Sequence, residues 1–409
     1  MTHGLRLPAQ PVSSRKPLSA SPAPLVDVHD VALMDLDGVV YRGSEAVPHA
    51  AWAIGAVRER GMRMVFVTNN ALRPPARVAE RLIAFGVPAV SADVVTSAQA
   101  AARLLAERLP GGAAVLVTGG EGLREAVRDV GLRPVATARE EPAAVVQGFD
   151  PDLDYARLAE AALAIQAGAL WVASNTDASV PTERGLLPGN GSLVAMLSTA
   201  TGAAPIVAGK PERALHEESV RRGGARFPLI VGDRLDTDIA SAVRSGTPSL
   251  LVLTGVTSGG ELLRAGALYR PTYLAADLRG LLVGHPGTRV HAPAGGSGGA
   301  ARPDGVEVEA VCGHWAAHVR EGTLSWRKVR PAGRPAHRVE AVSAIGGDGP
   351  GDGPWGNGPG NGLPGEGSRE DDGLDALRAA CAAAWAAADG DDPVRELAGE
   401  RPPGCADLD

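Results

Sequence analysis

Short apolar runs, each followed by polar or glycine-containing turns, recur between residues 28 and 280. They lie at residues 31–34, 64–67, 205–207 and 229–231. Runs of this length without polar alternation are typical of parallel strands that are buried on both faces. Segments rich in Ala, Leu and Arg separate the runs and predict helices. The pattern therefore predicts an α/β fold with a doubly wound parallel sheet, in which ligands bind at the carboxyl ends of the strands.

The stretch between the second and third runs is far longer than a single crossover helix needs. It contains further strand-like runs at residues 113–117, 143–146 and 170–173, and a helical pattern over residues 155–167. A segment with its own strands and helices can bury a core of its own. The sequence predicts a second α/β unit inserted into the first.

Two carboxylates follow the first apolar run. Asp35 and Asp37 are two positions apart, and alternate residues of an extended strand point to the same face. Both side chains could therefore address one substrate atom, one as a nucleophile and the other by moving protons. Gly38 would allow the chain to turn sharply away. The same pattern also occurs in calcium-binding loops and in ordinary turns, so the pair alone does not exclude these two interpretations.

The second run ends in Thr68, Asn69 and Asn70. A hydroxyl group and successive backbone N–H groups at the end of a strand can hold the oxygens of a phosphate. An Asn-rich turn without a ligand is the alternative. On local grounds the two interpretations are about equal.

A Gly-Lys-Pro turn follows the third run and contains Lys210. The chain has three lysines, at positions 16, 210 and 328, so nearly all its basic residues are Arg. A lysine retained inside a tight turn of such a chain indicates that a compact point charge is needed there. A solvated surface lysine is the alternative.

Three acids follow the fourth run, at Asp233, Asp236 and Asp238. Carboxylates so close together repel one another unless a cation or a hydrogen-bond donor compensates them. Hard oxygen ligands in a phosphate site favour Mg²⁺. Acids are also common at helix N-termini, and this is the interpretation that we favour for Asp236.

Taken together, the four segments resemble the haloacid dehalogenase (HAD) superfamily of phosphatases. The motif sequences are similar to those of the NagD-type and p-nitrophenyl phosphatase-like subfamily: DLDGVVYRG, FVTNN, GKP and VGDRLDTDI. The resemblance covers about residues 28 to 280. The resemblance implies a Rossmann-like HAD core at residues 28–95 and 206–284 with an inserted α/β cap domain at residues 96–205. Ala71 stands where the family often has Ser, which puts only a secondary hydrogen bond in doubt.

The resemblance also implies a role for each matching residue. Asp35 would be the nucleophile that forms an aspartyl-phosphate, Asp37 the general acid and then base, and Lys210 the group that neutralises the transferring phosphoryl charge. Mg²⁺ would be held by the Asp35 and Asp233 carboxylates and by the Asp37 carbonyl. The remaining implied roles are phosphate or substrate binding by Thr68, Asn69 and Asn70, orientation of Lys210 or of a metal-bound water by Asp238, and substrate contact by the cap residues Asn175 and Asp177, which could equally cap a turn.

The C-terminal part differs in composition. Residues 285–305 and 344–368 are rich in Gly and Pro and are predicted as linkers, and residues 306–343 alternate like the strands of a small C-terminal module. A helix is predicted over residues 369–400, with an apolar stripe that should dock on the module or on the core rather than bind a cofactor. The stripe comprises Leu374, Leu377, Cys381 and Trp385. A tail of this kind resembles actinobacterial members of the subfamily, among them glycerol 3-phosphate phosphatases.

The amino-acid composition limits the kinds of binding partner and the location that we expect. The net charge of −7 and the lack of a Lys/Arg-rich block argue against nucleic acid, and no apolar run is long enough for a membrane span. The three cysteines show no paired spacing, which suits the cytoplasm. The Pro/Ser/Ala-rich residues 1–27 are predicted to be disordered. Caps of this type can pair, so a homodimer through the cap is an open alternative.

These observations predict a Mg²⁺-dependent phosphatase that acts on a small phosphorylated metabolite, with glycerol 3-phosphate or phosphoglycolate favoured. Two alternatives stay open. One is a phosphotransferase or mutase that shares the aspartyl-phosphate intermediate, and the other is a regulatory binding protein that acts through the C-terminal module.

Overall fold

The predicted apolar runs form strands in the structure. The computed structural model describes residues 18–182, 184–291, 308–329, 373–390, 394–398, 401–402 and 404–405. The predicted linker 344–368 and residues 1–17 lie outside these ranges. Within the described ranges, no helix is both long enough and apolar enough to cross a membrane.

The N-terminal elements build one half of a central sheet and the helices that cover it. Strand residues 31–34 are all buried, and a Pro at the first helical positions starts the helix after Pro74. The Thr96 side chain accepts a hydrogen bond from the backbone N–H of Gln99 and so caps the helix that follows. The elements are α1 (Leu25–Val28), β1 (Val31–Met34), β2 (Tyr41–Arg42), β3 (Glu45–Ala46), α2 (Ala50–Glu59), β4 (Arg63–Thr68), α3 (Pro75–Ala84), β5 (Val94–Thr96) and α4 (Ser97–Ala106).

The next stretch contains the predicted inserted unit. Its strands are short and apolar, and Trp171 and Leu197 lie in the core that they form with two helices. The elements are β6 (Ala114–Thr118), α5 (Glu121–Asp129), β7 (Arg133–Val135), β8 (Ala144–Gln147), α6 (Tyr155–Gln166), β9 (Leu170–Ala173), β10 (Ser179–Thr182), β11 (Gly185–Pro188), α7 (Asn190–Thr201) and β12 (Ile206–Val207).

The chain then returns to the central sheet and continues into a C-terminal sheet. A π-helical turn, Leu235–Ile239, precedes α9. The elements are α8 (Arg213–Gly223), β13 (Pro228–Gly232), α9 (Ala240–Ser245), β14 (Ser249–Val252), α10 (Gly259–Leu263), β15 (Tyr273–Ala275), β16 (Arg289–His291), β17 (Val308–Cys312), β18 (Trp315–Arg320), β19 (Thr323–Lys328), α11 (Asp375–Ala388) and β20 (Glu396–Leu397).

Six parallel strands form the central sheet, in the order β15–β14–β13–β1–β4–β5. One face packs against a core that includes Ile54, Phe66 and Leu82, and the other against a core that includes Val65 and Leu215. Both faces are therefore buried, as the uninterrupted apolar runs predicted. The predicted α/β fold with a parallel sheet is confirmed.

A second parallel sheet has the order β12–β9–β8–β6–β7. Its edge strand β12 pairs with β9, although residues 206 and 207 were predicted to belong to the core. The pairing places the return to the central sheet slightly later in the chain. A separate antiparallel hairpin joins β10 to β11.

The C-terminal sheet has the order β16–β17–β18–β19–β20. Its pairs are antiparallel except for the parallel pair of β19 and β20. Helix α11 packs between this sheet and the central one, in a core that includes Leu251, Leu262 and Trp385. This arrangement agrees with the predicted docking of the apolar stripe.

Two segments depart from the predicted disorder and linker. Residues 18–27 lie against the central part of the molecule: Leu18 is buried, Ser21 and His285 exchange backbone hydrogen bonds, and α1 follows. Residues 289–291 of the predicted linker form β16, because residues 309–311 supply a pairing partner. In both cases distant residues provide contacts that local composition does not reveal.

Arg378 is the largest fully buried side chain among the described residues, and we expect its loss to destabilise the docking of α11. It donates a hydrogen bond of 3.0 Å to Asp375 and one of 2.6 Å to the carbonyl of Leu274. Arg378→Met leaves the buried Asp375 without its cation and should lower the free energy of unfolding by about 3 kcal/mol. Urea denaturation measures this. The control is Arg77→Met, which breaks an exposed pair with Glu80; an equal loss in the two variants would contradict the prediction.

Candidate active site

The four sequence motifs meet at the carboxyl edge of the central sheet. Asp35 follows β1, Thr68 ends β4 and Asp233 follows β13. These three strands are neighbours, and parallel strands bring their carboxyl ends to one edge. Lys210 reaches the same edge from the loop after β12.

Lys210 is held between two carboxylates. Its Nζ donates a hydrogen bond to Asp35, a second of 2.8 Å to Asp238 and a third of 3.3 Å to the carbonyl of Val67. The side chain is 8% exposed. Burial alone would lower the pKa of Lys210, but Asp238 and Asp35 raise it above its ordinary value. Lys210 is therefore a fixed, buried positive charge, which excludes the solvated surface lysine.

Asp35, Asp233 and Asp238 form a compact acidic cluster, in which one oxygen of each lies within 4.8 Å of the others. Burial and the nearby Asp238 raise the pKa of Asp233 to about 7. Burial also raises the pKa of Asp35, against the opposing effect of Lys210. One ammonium group compensates only one of the three carboxylates, so the cluster favours a further cation.

Backbone atoms closely surround the Asp233 carboxylate. Its Oδ2 accepts a 2.7 Å hydrogen bond from the backbone N–H of Val256, while Oδ1 is buried and has no partner among the described residues. A Cβ at Gly38 would lie 2.3 Å from Oδ2, and one at Gly255 would lie 1.8 Å from it. Two glycines thus let the backbone close around this carboxylate. An orphaned buried carboxylate oxygen beside two other acids fits a hard divalent cation such as Mg²⁺.

Sequence reasoning missed Gly255 and Val256. The Thr254-Gly255 turn follows β14, another strand of the central sheet, so its position at a strand end was an available signal. Thr254 also contributes: its hydroxyl donates a 2.6 Å hydrogen bond to the carbonyl of Gly38. The β14 loop therefore joins the β1 and β13 loops around one carboxylate.

Asp37 lies beside this cluster but its carboxylate is not part of it. The backbone N–H of Gly38 donates a 2.8 Å hydrogen bond to the carbonyl of Tyr41 and closes the turn. The Asp37 side chain is exposed, but partial desolvation of its carboxyl group still raises its pKa, while Arg81 and the backbone N–H of Gly43 oppose the shift. A carboxyl group with a raised pKa next to a second acid is suited to proton transfer.

Asn69 connects the two parallel sheets. Its Oδ1 accepts a 2.8 Å hydrogen bond from the backbone N–H of Lys210, and its Nδ2 donates bonds of 3.2 Å to Asp177 and to the carbonyl of Lys210. The Asn69 carbonyl accepts bonds of 2.8 Å from Asn175 and 2.6 Å from Ser97. The Asn69 side chain is thus engaged in holding the Lys210 loop, while phosphate binding by this segment stays a prediction. Ser97 was not predicted to take part.

Asn70 and the predicted cap residues also make local contacts. The backbone N–H of Asn70 donates a 3.1 Å hydrogen bond to Thr68 Oγ1, and Asn70 Oδ1 accepts one of 2.9 Å from the N–H of Leu72. The N–H of Asp177 donates a 3.2 Å bond to Asn175 Oδ1. Asn70 and Asn175 therefore shape turns, the alternative left open for the Asn-rich segments, and Asn175 and Asp177 both reach Asn69 from the second sheet.

Two family models and several known proteins match this chain. A haloacid dehalogenase-like hydrolase model matches residues 32–133, and a HAD-hydrolase-like model matches residues 207–281. The D-glycerol 3-phosphate phosphatase of Mycobacterium tuberculosis is 54% identical over 253 residues, which are 62% of this chain and 71% of that protein. The chain belongs to the haloacid dehalogenase-like hydrolase family. This HAD hydrolase is thus an enzyme of the predicted phosphatase class.

Two further comparisons extend the picture of this HAD hydrolase. A 5′-nucleotidase of Bacillus subtilis is 40% identical over 227 residues, which are 55% of this chain and 87% of that protein. The solved structure of a glycerol phosphate phosphatase from M. tuberculosis in complex with magnesium matches with a TM-score of 0.71 and 40% identity, over 92% of this chain and 96% of that one. The HAD-like fold is confirmed. The acidic cluster and the magnesium of that relative agree with the predicted Mg²⁺ cofactor.

The C-terminal part distinguishes the relatives. A p-nitrophenyl phosphatase from Archaeoglobus fulgidus matches with a TM-score of 0.58 and 30% identity, over 62% of this chain but 98% of that one. The mycobacterial structure covers far more of this HAD hydrolase, and the match therefore extends into the C-terminal sheet.

The close approach of Gly255 to the Asp233 carboxylate allows a test of the acidic cluster. Gly255→Ala places a Cβ on the Asp233 carboxylate and should displace it, which lowers phosphatase activity by about 10- to 100-fold, as is typical when the support of a metal ligand is lost. Phosphate release from p-nitrophenyl phosphate measures the change. Gly55→Ala in α2 has no atom within 4 Å of the added Cβ and should keep full activity. Full activity of Gly255→Ala would contradict the proposed role of Asp233.

Proposed function

We propose that this HAD hydrolase is a Mg²⁺-dependent phosphatase that hydrolyses glycerol 3-phosphate through an aspartyl-phosphate on Asp35. The observation that carries the proposal is the contact of Asp35 with the buried Lys210, inside a cluster of three acids. The carboxylate is thus held beside a fixed positive charge at the open edge of the sheet, where a phosphoryl group can approach.

Three groups would hold the metal ion: the carboxylates of Asp35 and Asp233 and the backbone carbonyl of Asp37. Their hard oxygens and the orphaned Oδ1 of Asp233 suit Mg²⁺. When Mg²⁺ is bound, its charge polarises the phosphoryl group and offsets the negative charge of the site.

In the first half-reaction, a carboxylate oxygen of Asp35 attacks phosphorus. An O–P bond to Asp35 forms as the bond from phosphorus to the alcohol oxygen breaks, and Asp37 donates its proton to the departing alkoxide. In the second half-reaction, Asp37 takes a proton from water, whose oxygen attacks phosphorus. Inorganic phosphate leaves and the Asp35 carboxylate is restored.

Lys210 contributes charge and position. Its ammonium group stabilises the phosphoryl oxygens while it orients Asp35, and Asp238 keeps the ammonium group in place through the 2.8 Å hydrogen bond. Thr68 and the backbone of Asn69 and Asn70 would bind the phosphate from the β4 side. Because the side chain of Asn69 holds the Lys210 loop, the phosphate contacts from this segment would come chiefly from Thr68 Oγ1 and from backbone N–H groups.

The substrate is inferred from the relatives and from the C-terminal part. The mycobacterial D-glycerol 3-phosphate phosphatase is 54% identical, and the solved mycobacterial structure covers 92% of this chain. We rank glycerol 3-phosphate ahead of phosphoglycolate for this reason. On the cap side of the site, Asp177 is the proposed substrate contact beyond the phosphate. Asn175, which was also predicted to contact substrate, is buried and bonded to Asn69 and Asp177, so its proposed role is to hold Asp177 in place.

The cellular location and assembly are further proposals. Cys312, Cys381 and Cys405 are buried and are not joined in disulfides, which supports a reducing compartment such as the cytoplasm. The homodimer through the cap stays a prediction.

Replacement of the nucleophile is the direct test of the mechanism. Asp35→Asn preserves size and shape but removes the attacking carboxylate, so turnover should fall by about a thousandfold or more, with an unchanged far-UV circular dichroism spectrum. The control is Asp236→Asn in the same motif, whose side chain is exposed and paired with Arg234; its turnover should stay close to that of the wild type. An active Asp35→Asn enzyme would refute the aspartyl-phosphate.

Substrate and metal are tested together on a panel of phosphomonoesters. We expect the highest kcat/KM for glycerol 3-phosphate, lower values for phosphoglycolate, pyridoxal phosphate, sugar phosphates and 5′-nucleotides, and loss of all turnover in EDTA with recovery in excess Mg²⁺. A higher kcat/KM for another member of the panel would overturn the substrate assignment alone. Turnover that survives removal of the metal would overturn the mechanism.

A further inference from the structure

A hydrogen bond links the C-terminal helix to α10, the helix that follows the loop around Asp233. The indole Nε1 of Trp385 in α11 donates a 3.1 Å hydrogen bond to the carbonyl of Leu262 in α10. Trp385 is 2% exposed and Leu262 is fully buried. The Leu262 carbonyl also accepts a 3.1 Å hydrogen bond from the backbone N–H of Ala265. Because a carbonyl oxygen can accept two hydrogen bonds, the indole N–H adds a second one, from α11, at the end of α10.

Helix α10 follows directly on the residues that bind Asp233. The backbone N–H of Val256 donates the 2.7 Å hydrogen bond to Asp233 Oδ2, and that of Thr257 donates one of 3.2 Å to the Asp233 carbonyl. Ser258 then caps α10, since its side chain accepts a hydrogen bond from Glu261. Only a few residues of this turn and of α10 separate Val256, which bonds to the proposed metal-binding carboxylate, from Leu262, which bonds to Trp385.

Apolar packing connects the same parts. Trp385 and Leu262 belong to one buried cluster, which also contains Ile239 of the π-helical turn after Asp233. Leu235 of that turn and Leu253, just before the Thr254-Gly255 turn, pack against the cluster. The two loops that enclose Asp233 therefore rest on the surface to which α11 docks.

The position of Trp385 is itself fixed. The guanidinium group of Arg270 lies 5.3 Å from the centroid of the Trp385 ring and forms hydrogen bonds of 2.6 and 2.8 Å with Asp389 at the end of α11. A cation over an indole face is a favourable contact. The ring is thus held from the face while its N–H points at α10.

We infer that Trp385 is a positioning residue for the metal site, because it fixes α10 and thereby the Val256 N–H against Asp233; this inference rests on the proposed Mg²⁺-dependent function. The C-terminal part then contributes to metal affinity in this chain, although it touches neither the metal ligands nor the phosphate-binding loop. The archaeal p-nitrophenyl phosphatase, which matches only 62% of this chain, has no counterpart of the complete C-terminal part.

The test is the Mg²⁺ dissociation constant of full-length variants, measured by isothermal titration calorimetry. Trp385→Phe keeps an aromatic ring but removes the N–H, and should raise the Kd for Mg²⁺ by about three- to tenfold, as the loss of one buried hydrogen bond allows. Excess Mg²⁺ should restore kcat. Trp326→Phe is the matched control, because Trp326 packs against the same cluster while its Nε1 has no partner among the described residues.

Hydrogen exchange provides a second measurement. The amide of Val256 should exchange faster in Trp385→Phe than in the wild type, and at the wild-type rate in Trp326→Phe. A general loss of packing would affect both variants alike and would overturn the inference. So would an unchanged Mg²⁺ affinity in Trp385→Phe, even if the wild type binds Mg²⁺ as proposed. A wild-type enzyme that does not bind Mg²⁺ would refute the proposed function as well.

Discussion

Concentrated negative charge is the constraint on which the site depends. Asp35, Asp233 and Asp238 bring three carboxylates together in a largely buried position, which is unfavourable unless cations compensate them. Among the described residues, Lys210 is the cation that contacts the cluster, and three acceptors hold it in place, while Arg234 acts on Asp233 without an ion pair to it. The negative charge that remains uncompensated favours the binding of a divalent cation. The parallel strands make this concentration of charge possible. Their buried apolar residues fix the strands in the core, and this fixes the position of the acid at the end of each strand.

Asn69 fixes the relative positions of several parts of the site. Through its side chain and its carbonyl it joins the β4 loop, the Lys210 loop, α4 and the second sheet. The position of Lys210 consequently depends on both sheets. A short amide side chain with a donor and an acceptor can serve several backbone groups at once, which explains why this position carries Asn rather than a residue with a single kind of hydrogen-bonding group.

The sequence revealed the parts of the site whose signal is local. Uninterrupted apolar runs predicted the parallel strands, and the acids and the lysine that follow them could be assigned to one edge of the sheet. Val256 could not be found in this way, because it acts through its backbone N–H, a group that every residue except Pro has. The contact of Trp385 with Leu262 joins residues 123 positions apart, and the apolar stripe predicts only that the helix docks. Asn69 was recognised by its motif, but the direction of its side chain depends on Lys210 and Asp177, which are distant in sequence.

The strand β16 changes how the C-terminal part is attached. Composition suggests a loose tether after residue 284, yet residues 289–291 form the edge of the C-terminal sheet, so the chain enters that sheet immediately after it leaves the core. The sheet and α11 cover Leu251, Leu262 and Leu274 of the central unit. Without the sheet and α11, these leucines would form an exposed apolar patch on the core, of the kind that favours aggregation or a new interface. The core therefore depends on the C-terminal part of its own chain to keep this patch away from water.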